Sequence, residues 1–318
     1  MGELPPPYRA LLAVWVALVG AAVGSFLNVV IARVPAGESI VRPGSRCPRC
    51  RTPIRWYDNL PIVSWLALRA RCRSCGARIP WRYPAVEALG AGAALVAYFR
   101  HGLTGAAAAE LAFAAALLVL AFIDLDTWLL PDVLTWSLLA FGILMGPLGV
   151  TPATTLRYAL YGAGLGFGVF AGLSWLGAKV FKKEALGFGD VWLLSGLGAW
   201  MGPAALLPIV LFASMQGSIV GIALVLMGKG EPGPEGATAT PTSTPSPQPS
   251  PPSGEREVAP LPPPHQGEGR GEGGASETDW IPPKHAVPFG PFLVAGALEW
   301  LWLSEPLAHW VPALRIFR

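Results

Sequence analysis

The sequence predicts an all-α polytopic membrane protein: about eight transmembrane helices, with a small cytoplasmic zinc-knuckle domain between the first two. Three observations carry that expectation. Of the 318 residues, 53% are apolar and only 14% charged, with a positive mean hydropathy, which is too apolar for a soluble domain of this length. Apolar runs close to the roughly 20 residues that a bilayer requires recur along the chain. The only four cysteines fall as Cys47-Pro-Arg-Cys50 and Cys72-Arg-Ser-Cys75, the spacing of two zinc knuckles. The formal charge of +3 bears on topology rather than on ligands, so membrane lipid is the partner implied and nucleic acid is not.

The first apolar run, 10–32, reads as a retained span, because Glu3 and three prolines precede it where a cleaved signal would carry a basic segment. Within it, Gly24-Ser25-Phe26-Leu27-Asn28 brings small and amide-bearing residues that suit close helix packing. Residues 33–83 form the zinc domain. From Arg33 to Arg82 there are eleven Arg against Glu38 and Asp58 alone, which places the segment in the cytoplasm and the N-terminus outside. The same basic excess suits anionic headgroups. In that reducing compartment four thiolates on zinc are expected rather than two disulfides, and the metal supplies folding free energy that so small a core lacks.

The catalytic core is expected over 84–227. Runs 84–100 and 106–123 go out and return around the polar turn Arg100-His101-Gly102, so that Asp124 emerges on the cytoplasmic side. Runs 133–150 and 157–178 repeat the excursion, and Lys179, Lys182 and Lys183 mark a cytoplasmic loop leading to Asp190. An even number of spans then separates Asp124 from Asp190, which puts both at one membrane face. Runs 191–203, 204–227 and 286–303 complete the set. Between the last two lies a loop, 228–284, expected to be disordered because its Pro-, Gly-, Ser- and Thr-rich stretch has no periodic apolar face. Residues 285–318 supply the last helix and an outer tail.

Few side chains remain for chemistry. His101 and His309 fall in outer segments, His265 in the loop and His285 at the start of the last span, so no Ser-His or Cys-His arrangement forms. Four thiolates saturate a tetrahedral ion and leave no open coordination position. Carboxylates are left, and acids in or beside spans are costly enough to be functional candidates. Asp132 follows Pro131 at a helix start and reads as a cap. Glu87, inside the second span, reads equally as a packing hydrogen bond or a ligand contact. Asp124 and Asp126, two residues apart, face different sides of a helix, with Asp124 the deeper. A facing Asp124 and Asp190 would share one proton, as in aspartic proteases. Gly187 and Gly189 before Asp190 leave room for an extended peptide backbone. A cation- or proton-coupled transporter using the same acids is the alternative.

Taken together, these residues resemble the bacterial prepilin peptidases, the type IV leader peptidase family of Gly-x-Gly-Asp aspartic proteases. The matching stretches are Gly24 to Val30 with Arg33-Val34-Pro35, the two Cys-x-x-Cys knuckles, Arg82-Tyr83-Pro84-x-x-Glu87, Ile123-Asp124-x-Asp126, Leu130-Pro131-Asp132, Gly187-Phe188-Gly189-Asp190 and Pro288-Phe289-Gly290-Pro291. The resemblance implies an inner-membrane endopeptidase with Asp124 and Asp190 as the catalytic pair and Gly187, Gly189, Asp126 and Glu87 as candidates near the substrate. It implies prepilin or pseudopilin substrates, cut on the cytoplasmic side after a glycine that ends a short basic leader. In many members the new amino terminus is then methylated with S-adenosylmethionine, an activity associated with the zinc-bearing region. Arg69-Ala70-Arg71-Cys72 departs from the pattern, since members often have Gly where this chain has Ala70. The loop from 231 to 283 has no counterpart in the usual short linker.

Overall fold

The computed structural model of the chain describes residues 5–153, 155–181, 187–229 and 287–317. Lys182, Lys183, His265, His285 and nearly all of the loop expected over 228–284 lie outside these described residues. Met1–Ile222 with Val287–Arg318 form one compact unit and Ala223–Ala286 a second, of which the described part is confined to 223–229.

Helices fill the apolar runs. They are α1 (Pro6–Arg33), the short α2 (Val63–Ala67), α3 (Arg82–His101), α4 (Gly105–Thr127), α5 (Asp132–Met145), α6 (Leu156–Phe181), α7 (Phe188–Met201), α8 (Pro203–Leu224) and α9 (Gly290–Trp310). No strand occurs among the described residues, so the all-α expectation holds there. Local chemistry fixes several ends. Proline occupies the first turn of α1 and of α9, where the missing N–H costs nothing. The Thr104 hydroxyl caps α4 by accepting the Ala107 N–H at 3.4 Å. Trp128 closes α4 in the left-handed region, at φ 58°.

Among the described residues four stretches, Pro7–Arg33, Gly105–Thr127, Leu156–Val180 and Pro203–Met227, are long and apolar enough to cross a membrane by themselves. The expected count of eight is therefore met at four by length and composition. At 14 residues each, α5 and α7 span about 21 Å against a hydrocarbon layer of about 30 Å. Both α3 and α9 carry charged side chains along their length, Arg82, Glu87 and Arg100 on one and Glu299 and Glu305 on the other.

Between α1 and α3 the chain builds two knuckles by the same rule. Cys47 N–H donates to the Thr52 carbonyl and Arg51 N–H to the Cys47 carbonyl, at 3.0 and 2.8 Å. In the second knuckle Cys72 N–H donates to Ala77 and Gly76 N–H to Cys72, at 2.8 and 2.9 Å. Each turn needs one residue at positive φ, which is Arg51 at 57° in the first and Gly76 at 68° in the second.

Packing then brings the helices close where side chains are small. A side chain at Gly24 would press to 2.6 Å from the Cα of Glu87, and one at Gly90 to 2.9 Å from the Cα of Gly24, so the stretch Gly24 to Asn28 does serve helix packing against α3. The main core lies among α4, α5, α7, α8 and α9. There Phe113 and Trp200 stack with ring centres 4.4 Å apart, surrounded by the buried Leu117, Leu120, Leu197 and Leu293. This core seats the C-terminal end of α4 and the N-terminal ends of α7 and α9 in one place.

Candidate functional site

Asp124 sits in the last turn of α4, where Ile123, Leu120 and Ala121 hold the helix in the core, and it is 5% exposed. The first amide of α9 meets it, for the Gly290 N–H donates to its carboxylate. Such an N–H has no partner within its own helix, and the positive end of the helix favours a negative group there. A side chain at position 290 would run into the Asp124 Oδ2 atom, so only glycine lets the helix start this close.

Asp190 occupies the first turn of α7, half-buried, with its own N–H donating to the Gly187 carbonyl at 3.0 Å. It lies within electrostatic reach of Asp124. The two carboxylates are thus within electrostatic reach although 66 residues separate them in sequence, 190 less 124. Gly187 is exposed and extended at φ −62°, ψ 136°, ahead of the helix. Gly189 is helical and lies against Leu130, where a Cβ would approach the Leu130 Cβ to 2.8 Å. It lets the first turn of α7 sit on the segment linking α4 to α5.

The other acids separate from this pair. Asp126 faces Arg82, whose Nη1 reaches both carboxylate oxygens at 2.7 and 2.6 Å while Nη2 donates to the Phe122 carbonyl at 3.3 Å. Asp132 opens α5 and is exposed, and no side chain makes a capping hydrogen bond at that end; the charge alone complements the helix terminus. Glu87 is buried and accepts the Ile62 N–H at 2.7 Å as well as the Ser25 hydroxyl. Ile62 makes that bond from φ 60°, an uncommon conformation for a β-branched residue. Three groups to which the sequence assigned no role therefore shape the site: Gly290 and Arg82, which lie in the matching stretches, and Ile62. The Pro288 to Pro291 stretch stands out in the sequence as one of those that carry the resemblance, but nothing in it points to Asp124.

The sulfurs of Cys47, Cys50, Cys72 and Cys75 all lie within 4.8 Å of one another, and none is in a disulfide. The Thr52 hydroxyl, 3.3 Å from the Cys50 sulfur, and then the Thr52 N–H lower the Cys50 thiol to about 6. The Cys75 and then the Ser74 N–H groups lower Cys72 in the same way. A metal ion binds thiolates, and it is the grouping of four cysteine sulfurs within 4.8 Å that fits the donor set to a metal.

Comparison with known proteins agrees with this arrangement. Residues 18–101 match the bacterial peptidase A24 N-terminal domain, and residues 111–222 match the type IV leader peptidase family. A prepilin leader peptidase/N-methyltransferase of Myxococcus xanthus is 43% identical over 98% of this chain and 96% of its own length. The chain belongs to the type IV leader peptidase family. Within that family, the type 4 prepilin-like proteins leader peptide-processing enzyme of Escherichia coli is 40% identical over 68% of this chain and 86% of its own. The prepilin leader peptidase/N-methyltransferase of Pseudomonas aeruginosa is 37% identical over 68% and 82%. No solved structure matches the chain. The coupled-transporter alternative finds no support in these relatives.

Proposed function

We propose that this type IV leader peptidase is a membrane aspartic endopeptidase. It removes the leader of type IV prepilins and pseudopilins and N-methylates the amino terminus so exposed, with Asp124 and Asp190 as the carboxylate pair. The observation that carries this reading is the approach of Asp190 to a buried Asp124, in a chain whose relatives are named for prepilin processing. Two carboxylates within electrostatic reach of one another disfavour joint ionisation, and in this reading the pair shares one proton. The ionised member takes a proton from water as that water attacks the scissile carbonyl. The protonated member donates to the developing oxyanion and then to the leaving amine. The Gly290 N–H orients Asp124, and the exposed Gly187 leaves open backbone beside Asp190 for an extended substrate.

The metal is zinc in this reading. Tetrahedral Zn–S bonds of about 2.3 Å set sulfurs roughly 3.8 Å apart, and the Cys47 and Cys75 sulfurs stand 3.8 Å apart. Zinc there holds the knuckle lobe together and takes no part in hydrolysis. S-adenosylmethionine, the second cofactor, supplies the methyl group. The chain is organised as a first span (10–32), the zinc lobe (33–83), the catalytic core (84–227), a loop (228–284) and a last span with an outer tail (285–318). It crosses the bacterial inner membrane eight times, with the lobe and both aspartates cytoplasmic and both termini outside, in line with the arginine excess of the lobe.

Coexpression with a type IV prepilin in a host lacking its own peptidase tests the activity. Processing of the precursor on a gel, with a methylated amino terminus by mass spectrometry, is the expected result. Unprocessed precursor beside membrane-inserted enzyme, for the native partner as well, would overturn it.

A further inference from the structure

Arg82 and Asp126 each stand at a helix end that does not suit their charge. Arg82 is the first residue of α3, where the positive end of the helix disfavours a cation, and Asp126 lies in the last turn of α4, where the negative end disfavours an acid. Neither helix accounts for its own charge; the pairing across them does. The Arg82 Nη1 donates to both Asp126 oxygens at 2.7 and 2.6 Å, and Nη2 donates to the Phe122 carbonyl at 3.3 Å. The guanidinium also stands 5.0 Å from the centre of the Phe122 ring. Phe122 and Asp126 are about one turn apart and share a face of α4, while Asp124 between them turns to the other face. Arg82 thus grips the last turn of α4 from behind, and the Gly290 N–H meets Asp124 from in front.

We propose that Arg82 is a positioning residue for cleavage, an inference that rests on the reading of Asp124 and Asp190 as the catalytic pair. It fixes the turn of α4 that carries Asp124, and it cancels the Asp126 charge beside the pair. The second effect is one that a merely structural tie would lack. A bare carboxylate two residues from Asp124 would oppose ionisation of the pair, which would then keep its protons to higher pH. The other charged groups near this end of the helices packed against α4 and α7 are engaged elsewhere or face solvent. Arg33 of α1 donates to the Ser39 and Gly44 carbonyls, and Glu87 of α3 accepts the Ile62 N–H. Asp132 of α5 is exposed, Lys179 of α6 lies over the Trp175 ring, and Glu299 of α9 accepts from Gln216. Arg9, Arg100, His101, Glu110, Arg157, Glu305 and His309 belong to the opposite ends of these helices.

The pH dependence of prepilin cleavage by the purified full chain separates the charge from the grip. Arg82→Gln leaves Asp126 unmatched and should move both limbs of the bell-shaped profile to higher pH, by about half a unit or more at low ionic strength. Asp126→Asn leaves Arg82 unmatched and should move both limbs to lower pH. The double variant removes both charges and should restore the wild-type limbs while kcat stays low, because nothing then holds the turn of α4. Arg82→Lys keeps the charge without the planar fork, so it should show the wild-type limbs at a reduced kcat. Both side chains are partly exposed, and the thermal transition in detergent identifies folded variants. Should one single variant not fold, the other carries the test alone, since each has its own sign. Limbs that stay in place in a folded single variant, or move the same way in both, would overturn the proposal. Cleavage retained by Asp124→Asn or Asp190→Asn would instead overturn the reading of the pair, whatever the Arg82 variants do.

Discussion

The Gly290 N–H, the first amide of α9, donates to the carboxylate of Asp124 in the last turn of α4. One end of α9 thereby sets where one member of the carboxylate pair stands, and the absence of a side chain at position 290 is what permits it.

Gly290→Ala should therefore lower cleavage while leaving the protein in the membrane. Its methyl group must displace the Asp124 carboxylate, and a misplacement near 1 Å costs about 100-fold in rate. Prepilin turnover at equal enzyme, with melting temperature as control, checks it. Wild-type turnover would mean that Asp124 tolerates the shift.

At the far end of α4, Glu110 is 4% exposed and accepts from Arg100 at 2.6 Å, His101 at 2.7 Å and the Trp302 indole at 3.1 Å. Glu110→Ala strands these partners and removes a tie among α3, α4 and α9. Unfolding free energy should fall by about 2 kcal/mol or more, read as an earlier thermal transition in detergent.

Arg51→Gly should do the opposite. Arg51 holds the left-handed position that Gly76 holds in the second knuckle. Relieving a non-glycine residue there is worth about 1 kcal/mol, and slower metal loss to a chelator would report it.

Metal analysis of purified enzyme should find about one zinc per chain, as a four-thiolate site requires. Cys47→Ser, which removes the buried ligand, should lose the metal and make the knuckle lobe sensitive to protease. Undetectable zinc in wild type would contradict the assignment.

What the sequence made legible were features with short-range signatures. The cysteine spacing fixed a four-thiol cluster, and the apolar runs marked the long helices within a few residues. The helical period separated Asp124 from Asp126, which does turn away to Arg82. Contacts between distant parts of the chain were not legible. Gly290 reaches Asp124 across 166 residues, 290 less 124, and Ile62 reaches Glu87 from a backbone conformation that its residue type disfavours. The glycines at 187 and 189 read alike in sequence yet differ in place, since Gly187 is exposed ahead of α7 while Gly189 gives Leu130 room. The run 133–150 read longer than α5, which ends at Met145, because Gly146-Pro147-Leu148 continues the apolar stretch after the α-helix stops, whereas the run 191–203 already read as short, as α7 is.

The central claim is that Asp124 and Asp190 cleave as a pair. Its most direct test is the cleavage rate of purified wild type, Asp124→Asn, Asp190→Asn and the double variant on one prepilin. Each substitution keeps shape and removes the shared proton, so each single variant should fall to background and the double should be no worse than either. Substantial cleavage by either single variant, with the protein folded, would contradict the account.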